Sequence, residues 1–311
     1  MPETTLTFPS GALTLSGTLT VPPGPGPHPA ALLIPGSGPL DRDSDHRRAR
    51  LGVTRELAAA LSTAGIATLR YDKRGVGASD GDWRAAGFSD NAADARAALD
   101  ALRAAPGVDP DRVLLVGHSE GALLATILAG DGAPTCGAAL LSSTATRGED
   151  VLIWQAQQLG PTLPAPVRLL LRLLRTDLTA KIRKNHARVK ATTTDVARIG
   201  GVRFNARWHR EFMAYDPSAD LARIRVPVLA VTGEKDLQVD AADLDRIAAL
   251  VPAPVEAHRV PDVTHVLRPQ PGPASLSAYR KEVRGPLDPR VVRLVVDWAQ
   301  RRTRGAGAVG G

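Results

Sequence analysis

Cysteine is almost absent from this sequence of 311 residues, which contains only Cys136. A disulfide within the chain and a metal site built from cysteines are therefore excluded, and we expect neither a metal nor another cofactor. Apolar runs that approach the roughly 20 residues of a membrane-spanning helix are also absent, so no stable membrane insertion is expected. Residues 1–5 carry no positive charge and lead into strand-like sequence, which argues against a secretory signal. The expected location is cytoplasmic.

The excess of basic residues is confined to one internal segment. The net charge is +7, and the stretch from Arg147 to Tyr215 holds 13 Lys and Arg against 5 Asp and Glu. Proteins that bind nucleic acid usually combine such a patch with a recognised binding motif, and we find no such motif here. No nucleic-acid partner is therefore expected, and the sequence leaves a homodimer open.

Hydrophobic runs and helical patterns alternate along the rest of the chain. The predicted strands cover residues 4–8, 13–21, 30–34, 66–71, 113–116, 137–142, 226–233 and 255–260, the first two as an antiparallel hairpin. The predicted helices cover residues 55–64, with Thr54 as the N-cap, 91–105, 122–129, 241–250 and 289–301. This alternation predicts an α/β fold, a doubly wound and mostly parallel sheet with right-handed crossovers.

Residues 147–215 interrupt the alternation. Residues 167–174 form a leucine-rich helical pattern that places Arg168, Arg172 and Arg175 on one face, and residues 179–190 continue in a basic, helical manner. The segment lies between two predicted strands and contributes none. We therefore expect a helical cap inserted at 147–215 into a core formed by residues 1–146 and 216–311.

A tight turn around Ser119 is the feature on which the functional prediction depends. The turn signal Asp109-Pro110-Asp111 leads into the buried strand at 113–116, and a helix of small and apolar residues follows Gly121. Between them lies Gly117-x-Ser119-x-Gly121, a strand–turn–helix arrangement that exposes a nucleophilic serine at the carboxyl edge of a sheet. Both glycines are needed because a turn this tight leaves no room for a Cβ two residues from the serine.

A serine hydroxyl needs a base to accept its proton, and the base needs an acid to fix its tautomer. With this turn, the acid and the base follow the serine in that order, at the ends of later strands. Asp236 fits the acid, since it follows the strand at 226–233 by a short turn. The rivals are Glu234, Asp240 and Asp243, of which the last two are better placed to begin the following helix.

His265 fits the base, because it follows the strand at 255–260 in a loop at the same edge of the sheet. The other six of the 7 histidines have the wrong order or position. The negative charge that develops on the substrate oxygen requires preorganised donors. We expect the backbone N–H groups of Glu120, the residue after the nucleophile, and of Ser37, in the glycine-rich loop after the strand at 30–34, to form this oxyanion hole.

Nearly the whole chain resembles the α/β-hydrolase superfamily, specifically the bacterial dienelactone-hydrolase-like or BAAT-like serine esterases with a helical cap. The resemblance rests on PGSGPLDRD at 35–43, RYDKRGVGAS at 70–79, the turn around Ser119, GEKDLQV at 233–239 and the stretch 208–217. It implies that Asp72 and Arg74 brace a turn beside the site and take no part in catalysis. Aromatic residues make up only 4% of the chain, which argues against an aromatic-lined pocket, and Leu and Ala in the cap favour an aliphatic one.

The resulting hypothesis is a serine esterase that cleaves carboxylic esters of small to medium acyl chains through an acyl-enzyme. The expected substrate is a small-molecule ester, and its hydrolysis needs no cofactor. One alternative is a hydrolase of acyl-CoA or another anionic acyl substrate, held by the basic cap, since arginine clusters bind phosphate. Two minor alternatives are a non-catalytic ligand-binding module on a hydrolase scaffold and attachment to a membrane surface through the basic helix near Leu169.

Overall fold

An eight-stranded sheet forms the centre of the molecule. The computed structural model describes residues 1–47, 49–162, 178–199 and 201–304. The strands of the sheet are β1 Glu3–Ser10, β2 Leu13–Thr20, β3 His28–Ile34, β6 Ala67–Tyr71, β7 Val108–His118, β8 Gly137–Leu141, β11 Val228–Gly233 and β12 Val255–Val260. Their order is β1-β2-β6-β3-β7-β8-β11-β12. β1 and β2 run antiparallel to their neighbours and the other pairs are parallel, which confirms the predicted fold class.

Helices cover both faces of the sheet. They are Val53–Thr63, Phe88–Arg103, Glu120–Gly130, Gly148–Thr162, Leu178–Lys190, Ala206–Ala214, Ser218–Leu221, Asp243–Leu250, Tyr279–Glu282 and Pro289–Thr303, with a 3₁₀ turn at Leu276–Ala278. The first and last of these helices pack on one face, and Phe88–Arg103, Glu120–Gly130 and Asp243–Leu250 pack on the other. In the part of the chain that the structure describes, no helix is long and apolar enough to cross a bilayer.

The central strand β7 shows why the apolar runs are continuous. Leu114 and Val116 face one hydrophobic layer while Val113 and Leu115 face the other, and all four are at most 2% exposed. A strand covered on both faces needs apolar residues at every position, without alternation. β7 begins earlier than predicted, at Val108, which pairs with His28 before the register shifts to Val113 opposite Ala30.

Two local predictions were wrong. Thr54 does not cap the first helix, because the helix begins at Val53 and Gly52 occupies the N-cap in a left-handed conformation with φ 62°. The Thr54 hydroxyl instead donates to the carbonyl oxygen of Arg42 at 2.7 Å. The segment between β8 and β11 is also not purely helical, since Val196–Ile199 (β9) and Val202–Asn205 (β10) form an antiparallel ribbon.

The same segment contributes no strand to the eight-stranded sheet within its described residues. The helix expected at 179–190 is present as Leu178–Lys190. The leucine-rich helix expected at 167–174, with Arg168, Arg172 and Arg175, lies outside the described residues. A short pair, β4 Asp45–His46 and β5 Ala49–Arg50, precedes the first helix.

Candidate active site

Ser119 lies in a sharp turn between β7, which ends at His118, and the helix that begins at Glu120. Its backbone has φ 56° and ψ −121°, a strained conformation for a residue with a side chain. A Cβ on Gly117 would lie 2.1 Å from the carbonyl oxygen of Gly121, and a Cβ on Gly121 would lie 2.1 Å from that of Ile34. The steric reason inferred for the two glycines is therefore confirmed, because either Cβ would collide with backbone.

Asp236 and His265 lie together beside Ser119. The Nδ1 atom of His265 lies 2.8 and 3.0 Å from the two carboxylate oxygens of Asp236. Its Nε2 atom lies 2.9 Å from Ser119 Oγ. Because a carboxylate only accepts, Nδ1 carries the proton and Nε2 is free to accept from the serine hydroxyl. The three residues predicted from their order in the chain thus form one continuous hydrogen-bonded line, although Ser119 and His265 lie 146 residues apart in sequence.

Backbone N–H groups fix the Asp236 carboxylate, whereas two of its rivals, Asp240 and Asp243, accept hydrogen bonds elsewhere and the third, Glu234, is exposed. Asp236 Oδ1 accepts from the N–H groups of Gln238 at 2.8 Å and Val239 at 2.9 Å. Asp240 accepts from the N–H of Ala242, which is two residues further along the chain. Asp243 is buried and accepts from Thr144, Ala145 and Thr146, so it ties the loop after β8 to the helix Asp243–Leu250.

His118, which precedes Ser119, contacts the loop that carries His265 in a way that the sequence did not indicate. Its Nε2–H donates to the carbonyl oxygen of His265 at 2.7 Å, and the two rings lie 5.2 Å apart. Burial, together with the proximity of His265, lowers the pKa of His118 from 6.5 to about 3. His118 is therefore neutral at physiological pH and holds the loop that carries His265.

Because His118 is buried in its neutral form, the free energy of unfolding should depend on pH. Between pH 6.5 and about 3 the unfolded chain protonates His118 and the folded chain does not, so the free energy of unfolding falls as the pH falls through that window. We expect His118 alone to lower it by about 2 kcal/mol between pH 7 and pH 5. Urea unfolding at both pH values measures the effect. His118→Gln, which keeps a donor, should lose less stability over this interval, and an equal loss in both proteins would contradict the prediction.

The two residues expected in the oxyanion hole lie beside Ser119. Glu120 is the first residue of its helix, so its N–H has no acceptor within that helix. The loop that contains Ser37 packs against the serine, since a Cβ on Gly36 would lie 3.4 Å from Ser119 Cβ. Ser37, Ser119 and Glu120 all line one small cavity. The arrangement suits donation to an oxygen held between the loop and the helix.

A buried charge cluster around Glu120 was missed from the sequence. Lys73 Nζ lies 2.9 Å from Glu120 Oε1, which also accepts from Asn91 Nδ2 at 2.7 Å. Glu120 Oε2 accepts from the indole Nε1 of Trp208 at 3.0 Å. Lys73 lies in the turn that follows β6, at the carboxyl edge of the sheet. This position was the only feature of the sequence that could have indicated the cluster. The cluster connects the start of the helix Glu120–Gly130 to the helix Ala206–Ala214.

The neighbours of Lys73 have the bracing contacts that the resemblance implied. The Asp72 carboxylate accepts from the side chain and backbone N–H of Arg42 and from the N–H of Ala78. Arg74 binds the Asp94 carboxylate through Nε and Nη2, both at 2.7 Å. These contacts hold the 72–79 turn beside the site.

Two adjoining cavities lie at this edge of the sheet. The smaller, of about 100 Å³, contains Ser119 and is bounded by these apolar residues: Leu123, Val151, Leu152, Phe212 and Val239. The larger, of about 280 Å³, is lined by Trp83, Phe204, Trp208 and His209. Ser37 and Trp208 line both. The expectation of an aliphatic pocket was wrong for the larger cavity, because three aromatic rings and the His209 imidazole line it.

Comparison with known proteins assigns the chain to a family. A family model described as serine aminopeptidase, S33 matches residues 47–268. Esterase EstD of Thermotoga maritima is 27% identical over 289 residues, which are 91% of this chain and 65% of that protein. An uncharacterized protein of Mycobacterium tuberculosis is 27% identical over 74% of this chain and 64% of its own length. The chain thus spans slightly less than two thirds of the length of these relatives.

Solved structures share the fold at low sequence identity. Est1E from Butyrivibrio proteoclasticus, in a structure with ferulic acid bound, has a TM-score of 0.65 and 17% identity, with 96% of this chain and 98% of that chain covered. A proline iminopeptidase from Mycobacterium smegmatis has a TM-score of 0.62 and 16% identity, with 96% and 99% covered. The family model spans most of the sheet and includes Ser119, Asp236 and His265. The chain therefore belongs to the serine aminopeptidase S33 family, within the α/β-hydrolase superfamily.

Proposed function

We propose that this protein is a serine hydrolase that cleaves carboxylic esters of small to medium acyl chains. The observation that carries the proposal is the hydrogen-bonded line from Ser119 Oγ through His265 to the Asp236 carboxylate. A serine hydroxyl beside the unprotonated nitrogen of an oriented imidazole is the arrangement that activates it as a nucleophile. The name of the Thermotoga relative, an esterase matched over 91% of this chain, supports the same reaction.

The geometry supports a two-step reaction. Ser119 Oγ attacks the ester carbonyl carbon while His265 Nε2 accepts the hydroxyl proton. The imidazolium then gives this proton to the leaving oxygen, so the alcohol departs and the acyl group stays on Ser119. A water molecule, deprotonated by His265, attacks the acyl carbon, and the acid is released as Ser119 regains a proton. Asp236 orients His265 and stabilises its positive form, and the N–H groups of Glu120 and Ser37 donate to the oxyanion.

The lining of the site favours an ester over a peptide with a free amino terminus. An enzyme that recognises a substrate ammonium group needs a carboxylate free to bind it. Among the described residues that line the two cavities, Glu120 is the one carboxylate, and Lys73, Asn91 and Trp208 already engage its oxygens. The cavity of about 100 Å³ around Ser119 suits a short apolar acyl group.

Residues 147–215 would act as a cap over this site. Helix Gly148–Thr162 contributes Val151 and Leu152 to the lining of the smaller cavity, and helix Ala206–Ala214 contributes Trp208 and Phe212. Gln155 Nε2 of the first helix donates at 2.7 Å to the carbonyl oxygen of Gln238, beside Asp236. The alternative of an acyl-CoA substrate stays a prediction, because the three arginines that motivated it lie outside the described residues.

Labelling with a fluorophosphonate tests the proposal. We expect the reagent to add to one residue, located on the tryptic peptide that contains Ser119, and prior labelling to abolish ester turnover. p-Nitrophenyl esters from acetate to dodecanoate should be hydrolysed fastest at the short to medium lengths, and aminoacyl p-nitroanilides should be poor substrates. Label on another peptide, or none on the folded protein, would exclude the proposed nucleophile, and faster anilide than ester hydrolysis would indicate a peptidase.

A further inference from the structure

Aromatic side chains converge on the larger cavity from separate parts of the chain. The sequence has 4 Phe, 4 Trp and 3 Tyr. Three of these rings and His209 line this one cavity. Trp83 comes from the loop before helix Phe88–Arg103, Phe204 from β10, and Trp208 and His209 from helix Ala206–Ala214. Several of the other aromatic residues lie in the hydrophobic core, but these three rings and the His209 imidazole border an open cavity, where a ligand can reach them.

The rings are held in fixed positions. Trp208 stacks on Phe212 at 4.7 Å with an interplanar angle of 9°, and its indole N–H is bonded to Glu120. His209 lies edge-on to Trp208 at 5.0 Å and to Phe204 at 5.2 Å. The Nδ1–H of His209 donates to the carbonyl oxygen of Asn205. A wall whose rings are already ordered loses little side-chain entropy when it binds a ligand.

The buried or half-buried polar groups around the cavity are already satisfied by the protein. Asn205 Nδ2 donates to the carbonyl oxygens of Trp83 and Ala86. Lys73 and Asn91 bind Glu120, and Arg74 binds Asp94. Burial lowers the pKa of His209, which keeps its ring neutral. Apart from the exposed Ser37 and Arg203, the lining of the cavity therefore offers an occupant mainly ring faces and edges.

Position and volume connect this cavity to the reaction. Ser37 and Trp208 line both this cavity and the one that contains Ser119. Its volume of about 280 Å³ exceeds that of an engineered apolar cavity of about 150 Å³ that binds benzene in another protein. The smaller cavity, of about 100 Å³, leaves room for a short group only. A substrate that fills both would carry a short group on one side of the ester bond and a ring on the other.

We propose that the Trp83, Phe204, Trp208 and His209 cavity is a subsite for an aromatic ring, so that the substrates are esters joining a short aliphatic group to an aromatic group. This inference rests on the proposed ester hydrolysis and adds the substrate class. Aromatic pairs contribute binding beyond the burial of their area, so a planar ring gains more here than a saturated ring of similar size. The preference should reach about tenfold in kcat/KM.

Two matched pairs of esters test the subsite. The first pair is benzyl acetate and cyclohexylmethyl acetate, and the second is methyl phenylacetate and methyl cyclohexylacetate. We expect the aromatic member of at least one pair to be preferred about tenfold. The pair that shows the preference identifies the side of the ester that carries the ring. Phe204→Leu and Trp83→Leu should each reduce this ratio several-fold, whereas Val202→Ala, an exposed position on the same ribbon strand as Phe204, should leave it unchanged.

Binding without turnover separates this inference from the proposed function. Trp83 and Trp208 line the cavity, so indole fluorescence of Ser119→Ala should change when benzyl acetate is added and change less with cyclohexylmethyl acetate. Turnover of esters with no aromatic preference in either pair, or a preference that survives in both leucine variants, would overturn the subsite and leave the hydrolase standing. If the protein bound benzyl acetate selectively but hydrolysed no ester, the subsite would stand and the proposed hydrolase function would fall.

Discussion

Replacing Ser119 by alanine is expected to lower kcat for ester hydrolysis by about 10⁶-fold, and replacing Asp236 by asparagine by about 10⁴-fold. Without Ser119 no acyl-enzyme forms, and only binding and the oxyanion donors remain. An asparagine at 236 would present an amide N–H where the carboxylate now accepts from His265 Nδ1 at 2.8 Å. The imidazole would then turn its proton toward Ser119 Oγ, and it could not accept the hydroxyl proton.

Steady-state kinetics with one short p-nitrophenyl ester measures both losses. Residues that act as a unit are not additive, so Ser119→Ala combined with His265→Ala should be no slower than Ser119→Ala alone. Asp240→Asn is a matched control, because Asp240 lies in the same loop and its carboxylate accepts from the backbone N–H of Ala242, away from His265. It should retain kcat within about twofold. A larger loss for Asp240→Asn, or for Glu234→Gln, than for Asp236→Asn would show that the acid was assigned to the wrong residue.

The fold and the line of three residues were predictable because their signals are local or follow from strand order. Backbone sterics require both glycines around Ser119, because a Cβ on either would collide with backbone atoms. The five residues 117–121 are therefore enough to predict the turn. Parallel strands bring their carboxyl ends to one edge, so a loop after β11 and a loop after β12 must lie near the end of β7. Position relative to the strands was therefore enough to select His265 and to favour Asp236 among the acids that follow β11.

The residues that surround this line were not predictable, because their contacts join distant parts of the chain. Lys73 and Glu120 are 47 residues apart, and Glu120 and Trp208 are 88 residues apart. Neither spacing is a helical or strand repeat, and each residue also fits its own local element without the contact. No pattern in the sequence therefore links the partners. The aromatic cavity has the same origin, since composition counts Trp83, Phe204 and Trp208 and says nothing of their convergence. The error at Thr54 is a local one. Gly52, in a left-handed conformation, is the N-cap of the first helix, and the Thr54 hydroxyl donates to the carbonyl oxygen of Arg42.

Replacing Lys73 by methionine is expected to lower the free energy of unfolding by about 3–5 kcal/mol. The side chains of Lys73 and Glu120 are 8% and 1% exposed, and their charged atoms lie 2.9 Å apart. Methionine fills nearly the same volume but removes the cation, which leaves the buried Glu120 carboxylate with two neutral donors, Asn91 and Trp208. Urea unfolding followed by circular dichroism measures the change. The exposed pair Arg96–Asp131 provides the comparison, since Arg96→Met should cost less than about 1 kcal/mol.

The double variant Lys73→Met with Glu120→Gln tests whether charge, and not packing, causes the loss. Glutamine has the same shape as glutamate and keeps an oxygen to accept from Asn91 or Trp208, so the double variant should regain most of the stability that Lys73→Met loses. If the double variant lost as much free energy of unfolding as the two single variants added together, the cost would come from lost packing around the lysine stem. The same variants also report on the site, because Glu120 begins the helix at the proposed oxyanion hole and binds the indole N–H of Trp208, which lines both cavities. If the cluster holds both in place, Lys73→Met should also lower kcat/KM in the fraction of molecules that remains folded, and the double variant should restore part of it.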